Sequence, residues 1–321
     1  MTIWFDGRFS QDAIGRLREG TREHRLIVAI EAVASHLIQP SRDPLLAEAD
    51  IAFGQPNQDD CLAYPGLRWV ELSSASYTRY DTPAIREAFL KRGAILTNSS
   101  GVFAEACAQH LVAMMLALGR QLLPSYRDQL ADRVWPSAER RSRSGLLNGQ
   151  AVVMLGFGAI GRRLAGFLAP FGMRLFAVRR RTHSELAVRI VPEEDLTRVL
   201  GLADHVINIL PESDSTRNYV NSRRIGCFRP GARYYSVGRG ATTDQEALLE
   251  ALLSGRIGAA YLDVTEPEPL PPGHPLWTAP NCFITPHSAG GRSDQDPALV
   301  DHFLLNLAAF ASGGELHDRV V

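Results

Sequence analysis

At 321 residues the chain is long enough for about two domains, each with a core of its own. Hydrophobic residues make up 45% and charged residues 21%, a globular balance that excludes a disordered or fibrous chain. A formal net charge of -1 gives no electrostatic reason to expect nucleic acid or an anionic membrane as partner.

The first hundred residues alternate short apolar runs with helical stretches. Residues 3–5, 26–29, 51–53, 69–72 and 95–97 read as strands, with helices over 12–19 and 83–91 between them. Such alternation argues for a parallel, doubly wound sheet. A long helix is predicted over 101–118, where Phe103, Cys107, His110, Leu111, Met114 and Leu118 recur at steps of three and four behind Ser99 or Ser100 as cap. On that stripe His110 reads as a satisfied core histidine. Residues 124–149 are polar, rich in Arg and broken by Pro136 and Gly145, so they read as a connection. The strand pattern restarts at 151–155 and continues at 173–178, 203–210, 232–237, 259–264 and 282–285. Helices are predicted over 162–169 and 246–254, and an amphipathic one over 296–312.

Cys61, Cys107, Cys227 and Cys282 show no C-x-x-C and no metal-ligand spacing, which suits free thiols in a reducing compartment. The first twelve residues lack a signal-peptide core, and no run approaches the roughly 18 apolar residues that span a bilayer. A cytoplasmic location is therefore expected, with no membrane partner.

The run Gly156-Phe157-Gly158-Ala159-Ile160-Gly161 follows a predicted strand and opens a predicted helix, the context that makes a G-x-G-x-x-G a dinucleotide fingerprint. Gly156 allows the tight turn, Gly158 lets backbone approach a pyrophosphate, and Gly161 lets helix and strand pack closely. The helix start, with Ala159 and Ile160, offers unpaired N–H groups to the phosphates. In open α/β sheets ligands collect beyond the carboxyl ends of strands. Three later strands end there in polar segments: Val237-Gly238-Arg239-Gly240, then the run from Asp263 through Glu266 and Glu268 to Pro269, then Thr285-Pro286-His287-Ser288.

With the Leu210-Pro211-Glu212-Ser213 stretch that leads to Thr216, these segments resemble the D-isomer-specific 2-hydroxyacid dehydrogenase family, over nearly the whole chain. Glu268 follows Arg239 by 29 residues and precedes His287 by 19, intervals similar to those of its shorter, glyoxylate/hydroxypyruvate reductase-like members. The resemblance implies two doubly wound parallel-sheet α/β domains. A Rossmann cofactor domain, 99–288, is inserted into a flavodoxin-like substrate domain of residues 1–98 and 289–321. It implies reduction of a small 2-oxo acid to the D-2-hydroxy acid, with His287 as acid/base, Glu268 as its partner and Arg239 as substrate clamp. The cofactor would lie along the fingerprint, Leu210, Pro211, Thr216, Val237, Gly238 and Asp263, with no metal, and a homodimer is the family's habit. Histidine suits proton delivery near neutrality, a carboxylate orients it, and arginine's planar fork matches a carboxylate. Glu266 is the rival carboxylate; spacing favours Glu268.

Two departures bear on the substrate. The family's usual glycine after the fourth strand is replaced by Ser76, in the substrate-binding Ala75-Ser76 turn, and serine resists the left-handed backbone that glycine accepts. Gln109 stands where a glutamate is common. The cofactor expectation comes from the second strand of the nucleotide domain. Its end carries Arg179-Arg180-Arg181 and no acid before Glu185, so the ribose finds no carboxylate and a 2′-phosphate finds guanidinium groups. NADP is expected, with NAD as the alternative; an exposed basic loop is the bland reading. Other 2-hydroxy acids such as phosphoglycerate, or a dinucleotide-sensing corepressor on the same fold, remain open alternatives.

Overall fold

A computed structural model describes residues 1–33, 39–131, 133–179 and 187–321. The first elements in chain order are β1 (Thr2–Gly7), α1 (Gln11–Gly20), β2 (Arg25–Val33), β3 (Ile51–Gly54), α2 (Gln58–Ala63), β4 (Trp69–Leu72), α3 (Pro83–Arg92) and β5 (Ile95–Thr97). Next come α4 (Ser100–Gly119), α5 (Leu122–Leu130), α6 (Ser137–Arg143), β6 (Ala151–Leu155), α7 (Ala159–Leu168), β7 (Arg174–Val178) and β8 (Arg189–Val191). The remainder are α8 (Leu196–Leu200), β9 (His205–Asn208), α9 (Ser222–Gly226), β10 (Ala232–Ser236), α10 (Gln245–Leu253), β11 (Ile257–Leu262), β12 (Cys282–Ile284) and α11 (Gln295–Ser312). Two compact units result: Met1–Phe103 with Gly291–Val321, and Ala104–Gly290.

The first unit holds a parallel sheet in the order β2-β1-β3-β4-β5, the flavodoxin-like arrangement. Both faces of β1, β3 and β4 are covered, so these strands are apolar on both sides, whereas the edge strand β2 leaves Val28 and Ile30 exposed. Ile3, Phe5, Ile51, Phe53 and Trp69 meet α1 and α11 on one face, where Phe303 stacks on Phe53 with centroids 4.3 Å apart. Trp4, Ala52, Val70 and Leu96 meet Cys61, Ile85 and Phe89 from α2 and α3 on the other. Pro83 at the first turn, the Thr82 hydroxyl accepting from the Ile85 amide and Gly93 at φ 68 bound α3.

Glu71 interrupts this apolar pattern. Fully buried, it accepts hydrogen bonds from Thr97 Oγ1 (2.5 Å), Asn306 Nδ2 (2.9 Å) and Ser99 Oγ (3.3 Å), with His302 Nε2 at 3.4 Å. Burial outweighs those hydrogen bonds and pushes its carboxyl up to about 8 from an ordinary 4.5, with Asp318 adding in the same direction. The folded chain therefore holds this proton more tightly than the unfolded chain. The resulting stabilisation is complete below about pH 4.5 and is lost as pH rises through about 8. Glu71→Gln should melt like the wild type at pH 5 and about 3 °C or more higher at pH 8.5. Parallel melting curves at both pH values would contradict this account.

The second unit holds a seven-stranded parallel sheet ordered β12-β11-β10-β9-β6-β7-β8, the doubly wound nucleotide-binding arrangement with one strand added. Val153, Val206, Tyr234 and Ala260 face one core with α8, α9 and α10; Val152, Met154, Ile207, Tyr235 and Tyr261 face the other with α4 and α7. Chain order reverses between β6 and β9, and in such sheets ligands collect beyond the carboxyl ends of the strands at that point.

Several expectations need correction. Residues 124–149 are not a plain connection but carry α5 and α6, neither of which has a buried residue. On α5 Leu122, Tyr126 and Leu130 recur at steps of four but stay exposed, and the Arg140–Asp128 pair (2.8 and 2.9 Å) helps hold the two helices. The edge strand β8 offers only two apolar residues and gave no signal. On α4 the core takes Cys107, Ala108, Leu111, Met115 and Leu118, while Met114 is half-buried. By length and composition α4 is apolar enough to cross a membrane (mean hydropathy 1.5), contrary to the sequence expectation, and those buried residues give the apolarity a packing role.

Candidate active site

β6 delivers the glycine-rich turn to the point where strand order reverses. Gly156 has φ 92, and a Cβ there would lie 3.2 Å from the Ile209 carbonyl at the end of β9. A side chain at Gly161 would meet Phe157 at 2.8 Å and Ile209 at 3.2 Å, so glycine permits the close packing of α7. Nothing lies within 4 Å of where a Gly158 Cβ would stand, and Gly158 caps α7 without a side-chain hydrogen bond. That open, uncapped helix start, including Ala159 and Ile160, fits a dinucleotide pyrophosphate.

Arg179 lies just past β7, its guanidinium 6.0 Å from the Phe157 ring centroid. Arg180 and Arg181 fall outside the described residues. In the loop after β9, the Thr216 hydroxyl bonds the Pro211 carbonyl (2.7 Å) and receives the Ser213 amide (2.8 Å), so it fixes the loop that begins at Leu210 and Pro211. Asn208 was not singled out in the sequence. Its amide donates to Tyr234 Oη, Thr242 Oγ1 and Thr243 Oγ1 (2.9, 2.8 and 3.2 Å), and its Oδ1 accepts the Leu210 amide. Thr242 Oγ1 in turn donates to the Arg239 carbonyl at 2.6 Å. A polar residue inside the apolar run ending β9 was the available signal.

Both glycines flanking Arg239 are required by close packing. A Cβ on Gly238 would sit 2.5 Å from the Leu210 carbonyl oxygen, and one on Gly240 would sit 1.9 Å from that of Thr265. Val237 precedes them, its amide on the Asn208 carbonyl. Arg239 itself is half-buried; its Nη1 donates to the Gly238 carbonyl (2.6 Å), and it makes no ion pair with a carboxylate among the described residues. Burial lowers its proton affinity, partly offset by the charges of Glu268 and Glu212.

His287 Nδ1 lies 2.8 Å from Glu268 Oε2, with the two side chains 34% and 30% exposed, accessible to a small molecule. The other oxygen of Glu268 accepts the Thr265 amide at 3.0 Å. Burial alone would raise the Glu268 carboxyl; hydrogen bonds from His287 and Thr265, with the charges of His287 and Arg239, hold it below its ordinary range. A carboxylate only accepts, so Nδ1 carries the ring hydrogen and Nε2 faces outward from the pair. Glu266, the rival carboxylate, is exposed, with its backbone clasped by Gln245 at 2.5 and 3.0 Å. Asp263 is 3% exposed and accepts the Ser288 amide (2.8 Å) and the Ala289 amide (2.9 Å). It therefore ties the turn that carries His287.

In the first unit, the Ala75 carbonyl accepts from Asn98 Nδ2 (2.9 Å) and the Ser76 carbonyl from Ser74 Oγ (2.8 Å). With both carbonyls held, the amides of Ser76 and Tyr77 have no partner among the described residues. Ser76 does not adopt the left-handed backbone that serine would resist, so the substitution for glycine carries no strain there.

Residues 112–289 match the family model of the D-isomer specific 2-hydroxyacid dehydrogenase NAD-binding domain. A glyoxylate/hydroxypyruvate reductase B from Pectobacterium carotovorum is 30% identical, over 95% of this chain and 94% of the relative. A glyoxylate reductase from Aeropyrum pernix is 32% identical, over 78% of this chain and 75% of that one. The crystal structure of an NADPH-dependent glyoxylate/hydroxypyruvate reductase from Sinorhizobium meliloti in complex with citrate superposes with a TM-score of 0.73 and 27% identity, covering 100% of this chain and 97% of that one. A nucleotide-binding sheet with an open glycine turn, matched by family over more than half its length, leads to one conclusion: the chain belongs to the D-isomer-specific 2-hydroxyacid dehydrogenases and is an NAD(P)-dependent oxidoreductase.

Proposed function

We propose that the protein is an NADPH-preferring reductase of small 2-oxo acids of the glyoxylate/hydroxypyruvate type, forming the D-2-hydroxy acid and acting as a homodimer. The observation that carries this reading is the half-buried Arg239, without a carboxylate partner among the described residues, whose charge is felt by the Glu268 of the His287 pair. A guanidinium half removed from water, with carboxylates near but none paired to it, gains when an anion completes it. Arg239 binds the substrate carboxylate and orients the carbonyl. His287 holds a proton on Nε2 and passes it to the carbonyl oxygen as that oxygen becomes an alkoxide; Glu268 keeps the ring turned and balances the imidazolium. The reduced nicotinamide, when bound, supplies the hydride to the carbonyl carbon. Ala75 and Ser76 are assigned to substrate binding through the amides of their loop. The first unit is the substrate domain and the second the cofactor domain.

Cofactor choice rests on Arg179, with Arg180 and Arg181 beside it in sequence. A charge-assisted bond from guanidinium to phosphate contributes about 1.5–3 kcal/mol, so kcat/KM for NADPH should exceed that for NADH by about tenfold to 150-fold. Oxidation of both cofactors is to be followed against a panel of 2-oxo acids, then repeated on Arg179→Asp, which should narrow or invert the ratio. Equal values for the wild type would refute the preference, and no turnover with any 2-oxo acid would refute the activity.

A further inference from the structure

Beyond the His287–Glu268 pair, the same unit contains a line of polar groups that the proposed chemistry does not use. His110 Nε2 lies 2.7 Å from Tyr261 Oη, which lies 2.6 Å from Thr285 Oγ1, which lies 2.5 Å from Asp263 Oδ1. The direction of every bond follows from the supply of hydrogens. The Asp263 carboxylate can only accept, so the single hydroxyl hydrogen of Thr285 points to it. Tyr261 then donates to Thr285, much the nearer of its two acceptors, Asp263 Oδ1 lying 3.5 Å away. The Tyr261 oxygen is left as acceptor, and His110 must present Nε2–H. All three bonds thus run one way, from α4 to Asp263, and hydrogen bonds aligned in one direction strengthen one another in a low-dielectric interior.

The terminus of this line is what gives it consequence. Besides Thr285, the carboxylate of Asp263 accepts the amides of Ser288 and Ala289, and its backbone carbonyl accepts the amide of His287 at 2.9 Å. His287 itself has φ 50, a conformation that a non-glycine residue keeps only when its surroundings fix it. Asp263 supplies those surroundings from both its side chain and its backbone. Tyr261 is fully buried and Asp263 3% exposed, so the connection is shielded from competing water.

We propose that His110, Tyr261 and Thr285 are positioning residues of the reduction: through Asp263 they lock the 287–289 turn and keep the His287 ring on Glu268. The sequence alone had His110 as a core histidine on an apolar helix; here it is the first donor of the line. The inference rests on His287 being the proton donor, and its test separates the two.

Thr285→Val removes the hydroxyl at nearly constant shape, Thr285→Ser keeps it, and Tyr261→Phe removes the central link while preserving the ring. Three quantities are measured on the purified enzyme: kcat with the best 2-oxo acid, NADPH affinity by fluorescence, and the His287 ring N–H resonance in histidine-labelled protein, assigned by its absence in His287→Ala. Thr285→Val should lower kcat about tenfold with NADPH affinity within about twofold, and should shift or broaden the resonance. Thr285→Ser should restore both. Tyr261→Phe should act in the same direction by about threefold, which keeps the test alive should the valine variant fold poorly. A resonance that moves while turnover does not would uphold the positioning and refute His287 as donor. An unmoved resonance in both Thr285→Val and Tyr261→Phe, or a loss that serine fails to restore, would overturn the inference.

Discussion

Replacing His287 by Ala is expected to lower kcat by about a hundredfold to ten-thousandfold, the usual contribution of a positioned proton donor. NADPH binding should change little, because the glycine turn and α7 are separate from the 287 turn in sequence and in hydrogen bonding. The variant loses the only side chain bonded to Glu268 Oε2 in the described residues, a bond of 2.8 Å. Glu268→Gln should cost less. Glutamine can still accept from Nδ1 but carries no charge to balance an imidazolium, so the ring remains oriented while its charged form is less stabilised. Steady-state rates on one 2-oxo acid, with cofactor binding measured alongside, decide the matter. Turnover at the wild-type rate in His287→Ala would remove the residue from the chemistry.

Much of this arrangement was legible in the sequence because strong local constraints wrote it there. β4, β5 and β6 begin and end where their apolar runs do, since strands buried on both faces tolerate little else. The glycine turn was legible because a positive φ at Gly156 and the tight packing at Gly161 admit no side chain. What could not be read depends on contacts between distant segments. Asn208 bridges β9 to the turn after Arg239, and Tyr261 reaches both α4 and the 285 segment, but each appears in sequence only as one polar or aromatic residue in an apolar run. Asp263 reads in sequence as a cofactor contact; its side chain also holds the backbone after His287, a link across 25 and 26 residues that no spacing rule announces. Serine's resistance to a left-handed backbone was legible, and Ser76 takes another conformation; the side chains of Ser74 and Asn98 that hold this loop through its carbonyls were not.

Arg239→Lys should raise KM for the 2-oxo acid strongly and lower kcat/KM, with cofactor affinity unchanged. The reason lies in how the guanidinium is held. Nη1 donates to the neighbouring Gly238 carbonyl at 2.6 Å, which anchors one arm of the fork and leaves the others for a ligand. An ammonium is a point charge without that geometry: if it keeps the Gly238 bond it cannot present two parallel donors to a carboxylate. Losing one charge-assisted bond costs about 1.5–3 kcal/mol, so kcat/KM should fall by roughly tenfold to 150-fold. Arg239→Ala should fall further, because the carboxylate then loses the charge as well. Since Gly238 and Gly240 pack against the 210 and 265 carbonyls independently of the side chain, neither change should disturb the fold. The discriminating measurement is inhibition by two dead-end ligands, one with a carboxylate and one with a neutral amide in its place. Wild-type Arg239 should prefer the carboxylate, and Arg239→Lys should lose most of that preference. If the variant keeps both the preference and the KM of the wild type, the substrate carboxylate is held elsewhere and Arg239 has another role.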